Sequence, residues 1–430
     1  MHERLIERFR SLAPHVKFCS LRLVHSHSEY LSVRQNILQP VSTSEDAGAM
    51  ITVVDGGGLG YAGTNDLTDA GLQRAIDRAH AWARSTAGRS VVDFSTVPFP
   101  QPTGEYLSPV QISWDTVSLS ERIDVLRTEC QRLKVDDRIV DWDASLWYTE
   151  SDTLYVTADG GRAQQRFRYI VPMLSATANA AAETQSRTFA GRGYCRQGGW
   201  EVLQHSGFYD AAPRIADEAL QLLLAPNCPT GKMDIVLAPD QMILQIHESI
   251  GHPLELDRIL GDERNYAGTS FVTPDMFGTY RYGSDLLNIT FDPTRPEEFA
   301  SYGFDDDGQP ARREYLIQHG ILQRGLGGVT SQARTKLPGV ANARATNWNR
   351  PPIDRMANLN LEPGTSRFTD MITGIEHGVY MQTNCSWSID DSRNKFQFGC
   401  EWGRVIENGE LTTVVKNLTI VAFLPHSGAT

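Results

Sequence analysis

At 430 residues the chain is longer than one hydrophobic core usually organises, so two or three domains are expected. Its composition is that of a globular protein, 40% apolar and 21% charged, and its net charge of −12 argues against nucleic-acid binding by phosphate neutralisation and against adsorption to an anionic membrane. No apolar run approaches the ~20 residues of a membrane span, and six scattered cysteines without a C-x-x-C pair suit reduced thiols in a cytoplasmic protein.

Met1 to Arg10 reads as a short charged amphipathic helix and not as a signal peptide. Phe18 to Val24 and Glu29 to Arg34 alternate like two paired strands around a polar turn. His25 and His27 share a side near a strand end, where a solvated pair is favoured over a second metal site. Ala49 to Val54 and Leu59 to Thr64 flank Asp55-Gly56-Gly57-Gly58, a strong hairpin signal. No helix start follows those glycines directly, so they read as a turn and not as a phosphate loop. Asp66 or Thr68 is placed to cap a helix carrying Leu72, Ile76, Ala79 and Ala83 at helical spacing.

Residues 96–113, with Pro98, Pro100, Pro102 and Pro109, read as an extended linker. Helices from Leu119 to Leu133 and from Asp210 to Leu224 bracket strands between Ile139 and Ala180. Lys232 to Leu237 is strand-like, and Ala238-Pro239-Asp240 is a turn that starts a helix. Met242, Ile243, Ile246 and Ile250 form that helix's apolar side. Short strand-like runs follow and end in a hairpin around Glu407-Asn408-Gly409-Glu410. The expected class is α+β: an N-terminal α/β module at 1–95, a linker and middle α+β region at 96–230, and a mainly-β C-terminal domain at 231–430 carrying the helix just described.

That helix ends in His247-Glu248-Ser249-Ile250-Gly251-His252. Neutral imidazole is the commonest zinc ligand, and a carboxylate beside the metal's water is the usual general base of metal-assisted hydrolysis. The spacing is H-E-x-x-x-H, one residue longer than the zincin motif. Residues i and i+5 stand roughly 140° apart on an ideal helix. Both histidines can share a metal only where the helix ends, widens or bends, and Gly251 and Pro253 sit where distortion costs least. The same residues also suit a plain helix end, with two partly buried histidines and a solvated carboxylate.

Further segments, in order, carry a resemblance. They are Leu31-Ser32-Val33-Arg34, Thr64-Asn65-Asp66-Leu67 and His247 to Glu255 read as H-E-x-x-G-H-x-L-E. Asp305-Asp306-Asp307-Gly308 is followed by Ile317 to Leu322, and Arg355-Met356-Ala357-Asn358 precedes Glu362-Pro363-Gly364. Phe396 to Phe398 and Ile406-Glu407-Asn408-Gly409 complete the series. Together they resemble the TldD/PmbA family, the "modulator of DNA gyrase" metallopeptidases, over nearly the whole chain. The family pairs an active subunit carrying H-E-x-x-x-H with an inactive one lacking it, and this chain resembles the TldD-type subunit.

The resemblance implies a cytoplasmic zinc peptidase acting on small or unfolded peptides. Such peptides are held as an added strand between two subunits, in a homodimer or a heterodimer with a PmbA/TldE-type partner. His247 and His252 would bind Zn²⁺, with Glu248 as general base. Glu255, three residues past His252, would orient a ligating imidazole or lie on the surface. Arg355 would hold substrate or form a structural ion pair. The resemblance also implies a cysteine as third ligand, beyond the last hairpin. The sequence reaches Thr430 without one, so the other donors to weigh are Cys400 first, then Cys385, His377, His426 and Asp305–Asp307. The alternative function is a catalytically silent, peptide-binding or partner subunit. The gyrase label alone suggests nucleic acid, and neither the net charge nor a basic aromatic stripe supports it.

Overall fold

The polar run His25–Ser28 is not a turn. In a computed structural model, which describes residues 2–189 and 191–423, Phe18–Arg34 is one 17-residue strand, β1. It is followed by β2 (Ser42–Asp55), β3 (Gly58–Thr64), β4 (Thr103–Leu107), β5 (Ile139–Thr157), β6 (Arg162–Ala180) and β7 (Glu183–Phe189). β1 pairs antiparallel with β2 on one edge and β5 on the other. The polar residues that resemble a turn therefore meet polar partners on both sides. His25 Nε2 lies 2.8 Å from Glu45 Oε1, and the Ser28 and Thr149 hydroxyls are 3.0 Å apart.

The main path of this nine-stranded sheet is β3-β2-β1-β5-β6-β4, with β7 also on β6. β2 and β3 form the expected hairpin. Asp55 pairs with Gly58, and Gly56 (φ 58°) and Gly57 (φ 81°) supply the two left-handed positions of a two-residue turn. The Pro-rich stretch is extended as expected but contributes β4, which runs parallel to β6. One helical layer, α1 (His2–Leu12) and α2 (Asp69–Thr86), buries Ile6, Phe9, Leu72 and Ile76 against Leu21, Ile51 and Leu154. Thr68, not Asp66, is the N-cap of α2 and accepts from the Gly71 N–H at 3.2 Å. Further along, α3 (Leu119–Leu133) and α4 (Phe208–Leu224) cover Leu31, Leu146, Ile170 and Leu174.

α2 lies so close to β3 that a Cβ at Gly60 would sit 2.0 Å from the Ala79 carbonyl oxygen and 2.4 Å from the Ala83 nitrogen. Both obstacles are helix backbone, so the layer itself must move. Gly60→Ala is expected to cost ~1–3 kcal/mol, read as a lower urea midpoint at unchanged slope.

The second half is mainly β, as expected. Its elements are β8 (Asp234–Leu237), α5 (Pro239–Ile246), β9 (Ile289–Phe291), β10 (Glu314–Gln318), β11 (Ile321–Leu322), β12 (Leu359–Leu361), β13 (His377–Ile389), β14 (Lys395–Glu407), β15 (Glu410–Val415) and β16 (Leu418–Phe423). One sheet runs β8-β13-β14-β15 with β16 also on β14, and a second runs β11-β10-β9-β12. Arg187 of β7, buried, ties the halves together. It donates to Glu218 of α4 (2.7 Å), Glu401 of β14 (3.0 Å) and Thr383 of β13 (2.5 Å). No helix among the described residues is long and apolar enough to cross a membrane.

Candidate metal centre

Two cores pull on the end of α5. Leu244 packs with Val379, Met381 and Phe398 of the five-stranded sheet. Ile250 and Leu254 pack with Phe271 and with Ile289 and Phe291 of the four-stranded one. The chain meets both demands by widening. His247–Gly251 form a π-helical turn in which the His252 N–H bonds to the His247 carbonyl, and a 3₁₀ turn, His252–Leu254, follows. An i→i+5 bond stacks residues five apart much as an α-helix stacks those four apart. The rings of His247 and His252 lie 4.6 Å apart between centroids, at 78°. The Ser249 carbonyl accepts from the Tyr282 hydroxyl at 2.6 Å, which satisfies it where the helix pattern changes.

One local expectation needs correction. Gly251 has ordinary helical torsions (φ −58°, ψ −67°), so backbone freedom is not its role. A Cβ there would stand 1.9 Å from the Met356 sulfur, so the glycine makes room for a side chain packed on the turn. The helix's apolar side divides, with Ile250 buried and Met242, Ile243 and Ile246 outside the core. Gln241 and Leu244 are the buried residues of α5, and Ile243 is 44% exposed. Met242, Ile243 and Ile246 instead line an open groove with His247, Met356, Leu359 and Leu361.

His252 is held from behind. Its Nδ1 lies 2.9 Å from Glu255 Oε2, which also accepts from Arg258 Nε at 3.0 Å. Glu255 is fully buried and Arg258 is 1% exposed. Burial alone would raise the Glu255 carboxyl's pKa, but the His252 bond and the Arg258 and Arg355 charges outweigh it and hold it below the usual carboxylate range. Nδ1 of His252 thus donates to the carboxylate, leaving the Nε2 lone pair as the ring nitrogen that could hold a metal. Arg355 sits between Glu255 (3.8 Å) and Glu263 (3.7 Å), on the far side of this network. Glu248, 5% exposed, receives a hydrogen bond from Arg393 Nη1 to its Oε2 at 2.6 Å.

One ligand atom from each of His247, Glu248 and His252 can be chosen so that all lie within 4.8 Å of one another, the one such group of three or more His, Cys, Asp or Glu among the described residues. Zinc bonds of about 2.0–2.2 Å put tetrahedral donors ~3.4 Å apart, a spacing that falls inside the 4.8 Å containing the three ligand atoms. Two imidazoles, one with its tautomer fixed, and an adjacent carboxylate fit zinc. The other candidate donors stand elsewhere. Cys400 is buried in the core of the five-stranded sheet, where burial pushes its thiol well up. Cys385 is exposed on β13. His377 is exposed at the start of β13, 3.8 Å from Glu376. Asp305 accepts the backbone N–H groups of Asp307, Gln309 and Ala343. His426 lies outside the described residues.

Two family models match the sequence, the PmbA/TldA metallopeptidase C-terminal domain over residues 230–426 and PmbA/TldA metallopeptidase domain 1 over residues 19–83. The chain belongs to the PmbA/TldD family. Its PmbA/TldD relatives include a metalloprotease of Methanocaldococcus jannaschii, 23% identical over 96% of this chain and 88% of that one. Another is a metalloprotease TldD homolog of Buchnera aphidicola subsp. Acyrthosiphon pisum, 24% identical over 92% of this chain and 80% of its own. A zinc metalloprotease TldD homolog of Saccharolobus solfataricus is 28% identical over 44% of this chain and 41% of its own. The fold is shared with a Thermotoga maritima protein described as a modulator of a DNA gyrase (TM-score 0.76, 17% identity, 98% of this chain and 92% of that one). It is shared also with TldE from Thermococcus kodakarensis (TM-score 0.73, 15% identity, 98% and 91%).

Arg258, Arg393 and Met356 were not singled out by sequence reasoning for the places they take here. Arg258 lies six residues past His252, close enough in sequence for a search around the motif to find it. Arg393 and Met356 come from distant segments, and only the folded sheets bring them to the motif.

Proposed function

We propose that the chain is a zinc-dependent peptidase that hydrolyses small or unfolded peptides. The observation that carries this reading is the gathering of ligand atoms from His247, Glu248 and His252 within 4.8 Å of one another, with Glu255 fixing the His252 tautomer. Bound zinc would supply a polarised scissile carbonyl and a water acidic enough to be deprotonated near neutral pH. His247 and His252 would hold it through imidazole nitrogens. Glu248 would take up a proton at a carboxylate oxygen and pass it to the leaving amine nitrogen.

The groove beside His247, about 420 Å³, supports a peptide substrate with an apolar residue near the scissile bond. Its wall includes β12, the last strand of its sheet path, which offers a backbone edge to an extended peptide. Recognition by edge pairing depends little on sequence. The expected setting is the cytoplasm, in a homodimer or a heterodimer with a PmbA/TldE-type subunit.

Protein purified without chelator should carry stoichiometric zinc by elemental analysis. Zinc at about 100-fold over its Kd should stabilise the metal-free protein by ~2.7 kcal/mol, seen as a raised melting temperature that a chelator reverses. Protein without zinc, whose melting zinc does not move and which cleaves no peptide, would instead be the silent subunit.

A further inference from the structure

On the reading of His247, Glu248 and His252 as a zinc centre, we propose that Arg393 is the positioning residue of Glu248, holding it as a base and keeping it from becoming a metal ligand. Arg393 lies in the turn between β13 and β14, far in sequence from the motif. Its backbone is left-handed (φ 67°), a conformation that costs a non-glycine residue energy. The turn is pinned in that shape. Asp390 Oδ1 accepts from the Asn394 and Lys395 N–H groups, both at 2.8 Å, and the Arg393 N–H bonds to the Asp390 carbonyl at 3.0 Å. The Asp391 carbonyl accepts from the Thr269 N–H at 2.7 Å, which fastens the turn to the segment beside the site.

From there the guanidinium makes two directed bonds. Nη1 donates to Glu248 Oε2 at 2.6 Å, and Nη2 donates to the Ala267 carbonyl at 2.8 Å. The pair is largely buried, with side-chain exposures of 13% for Arg393 and 7% for Glu248. The Ala267 carbonyl also accepts from Arg258 Nη1, and Arg258 Nε holds the Glu255 oxygen that orients His252. A closed frame therefore runs from Glu248 through Arg393, Ala267, Arg258 and Glu255 to His252. It ties the base and a ligating histidine to the same carbonyl.

The chemistry follows from which oxygen is taken. With Oε2 committed to Arg393, Glu248 keeps Oε1 to accept a proton and cannot chelate through both oxygens. The guanidinium also cancels the charge that would draw Glu248 onto a dication. Arginine suits the task because its planar fork reaches the carboxylate and the carbonyl at once.

The test uses the full chain in four variants, R393Q, R393K, E248Q and the double variant R393Q/E248Q. In R393Q, kcat of the zinc-loaded protein should fall ~10–100-fold with KM little changed. Zinc affinity, measured by competition with a chromophoric chelator, should rise roughly tenfold as Glu248 turns onto the metal. The rise should largely disappear when R393Q is made in an E248Q background, because the freed carboxylate is its source. R393K should recover little kcat, since a single ammonium cannot bridge both partners. If R393Q melts early, R393K carries the same readouts. Unchanged zinc affinity and kcat in these variants overturn the proposal, as does an equal affinity rise in both backgrounds. A wild-type chain that binds no zinc overturns the zinc reading itself, whereas an unresponsive Arg393 in a zinc-binding, Glu248-dependent peptidase overturns only the role of Arg393.

Discussion

Glu248→Gln is expected to slow peptide hydrolysis by ~10²–10⁴-fold, the range that a positioned proton acceptor contributes. Zinc content should stay stoichiometric, because the histidine donors are untouched. The amide is nearly the same size as the carboxylate, and its carbonyl oxygen can still accept from Arg393 Nη1, so the 2.6 Å contact has a neutral replacement. What disappears is the ability to take a proton from water at neutral pH. KM should move little, since no substrate-binding group changes.

Glutamine is a sharper probe than alanine here. Glu248→Ala would leave the Arg393 guanidinium, 13% exposed, without its counter-charge. Lost activity would then mix a missing base with a disturbed site. A zinc-loaded Glu248→Gln enzyme that cleaved peptides at the wild-type rate would place the base on another residue. Loss of zinc together with activity would instead show Glu248 to be a ligand, and would leave the site short of a base.

Much of this site was legible before folding because its core is local. The histidines, Glu248 and Glu255 lie within nine residues, and the awkward i+5 spacing itself demanded a distorted helix. The structure meets that demand with a π turn. The hairpin at Gly56-Gly57 and the helix at Leu119–Leu133 were readable for the same reason, since turn chemistry and helical periodicity are short-range signals. The failures are where long-range pairing decides. His25 to Ser28 resembles a turn in isolation and is a strand only because Glu45 and Thr149 stand opposite. Met242, Ile243 and Ile246 have the period of a core-facing stripe, yet the helix buries Gln241 and Leu244 and gives the stripe to a groove. Periodicity reports that a face is apolar, not what covers it. Arg393 carried no signal, since its role comes from one left-handed turn packed across the motif.

Glu255→Gln is expected to weaken zinc binding ~10–100-fold, and also to destabilise the metal-free protein by ~3–5 kcal/mol. The two effects have separate causes. The carboxylate can only accept, so it forces the proton onto His252 Nδ1 and leaves Nε2 ready to bind. An amide in its place can also donate to Nδ1, which favours the tautomer with its proton on Nε2 and blocks that lone pair. The stability loss arises next door. Arg258, 1% exposed, would lose the carboxylate that Nε and Nη2 reach at 3.0 and 2.9 Å, and Arg355 would lose a negative charge 3.8 Å away. A buried guanidinium stripped of its counter-charge is far costlier than a surface pair broken in water. Urea unfolding of chelator-treated protein isolates the second effect, and chelator competition measures the first. Equal zinc affinity in the variant would mean that the His252 tautomer is set elsewhere. Equal stability would mean that Arg258 finds its compensation without Glu255, and the frame linking His252 to Glu248 would lose its central member.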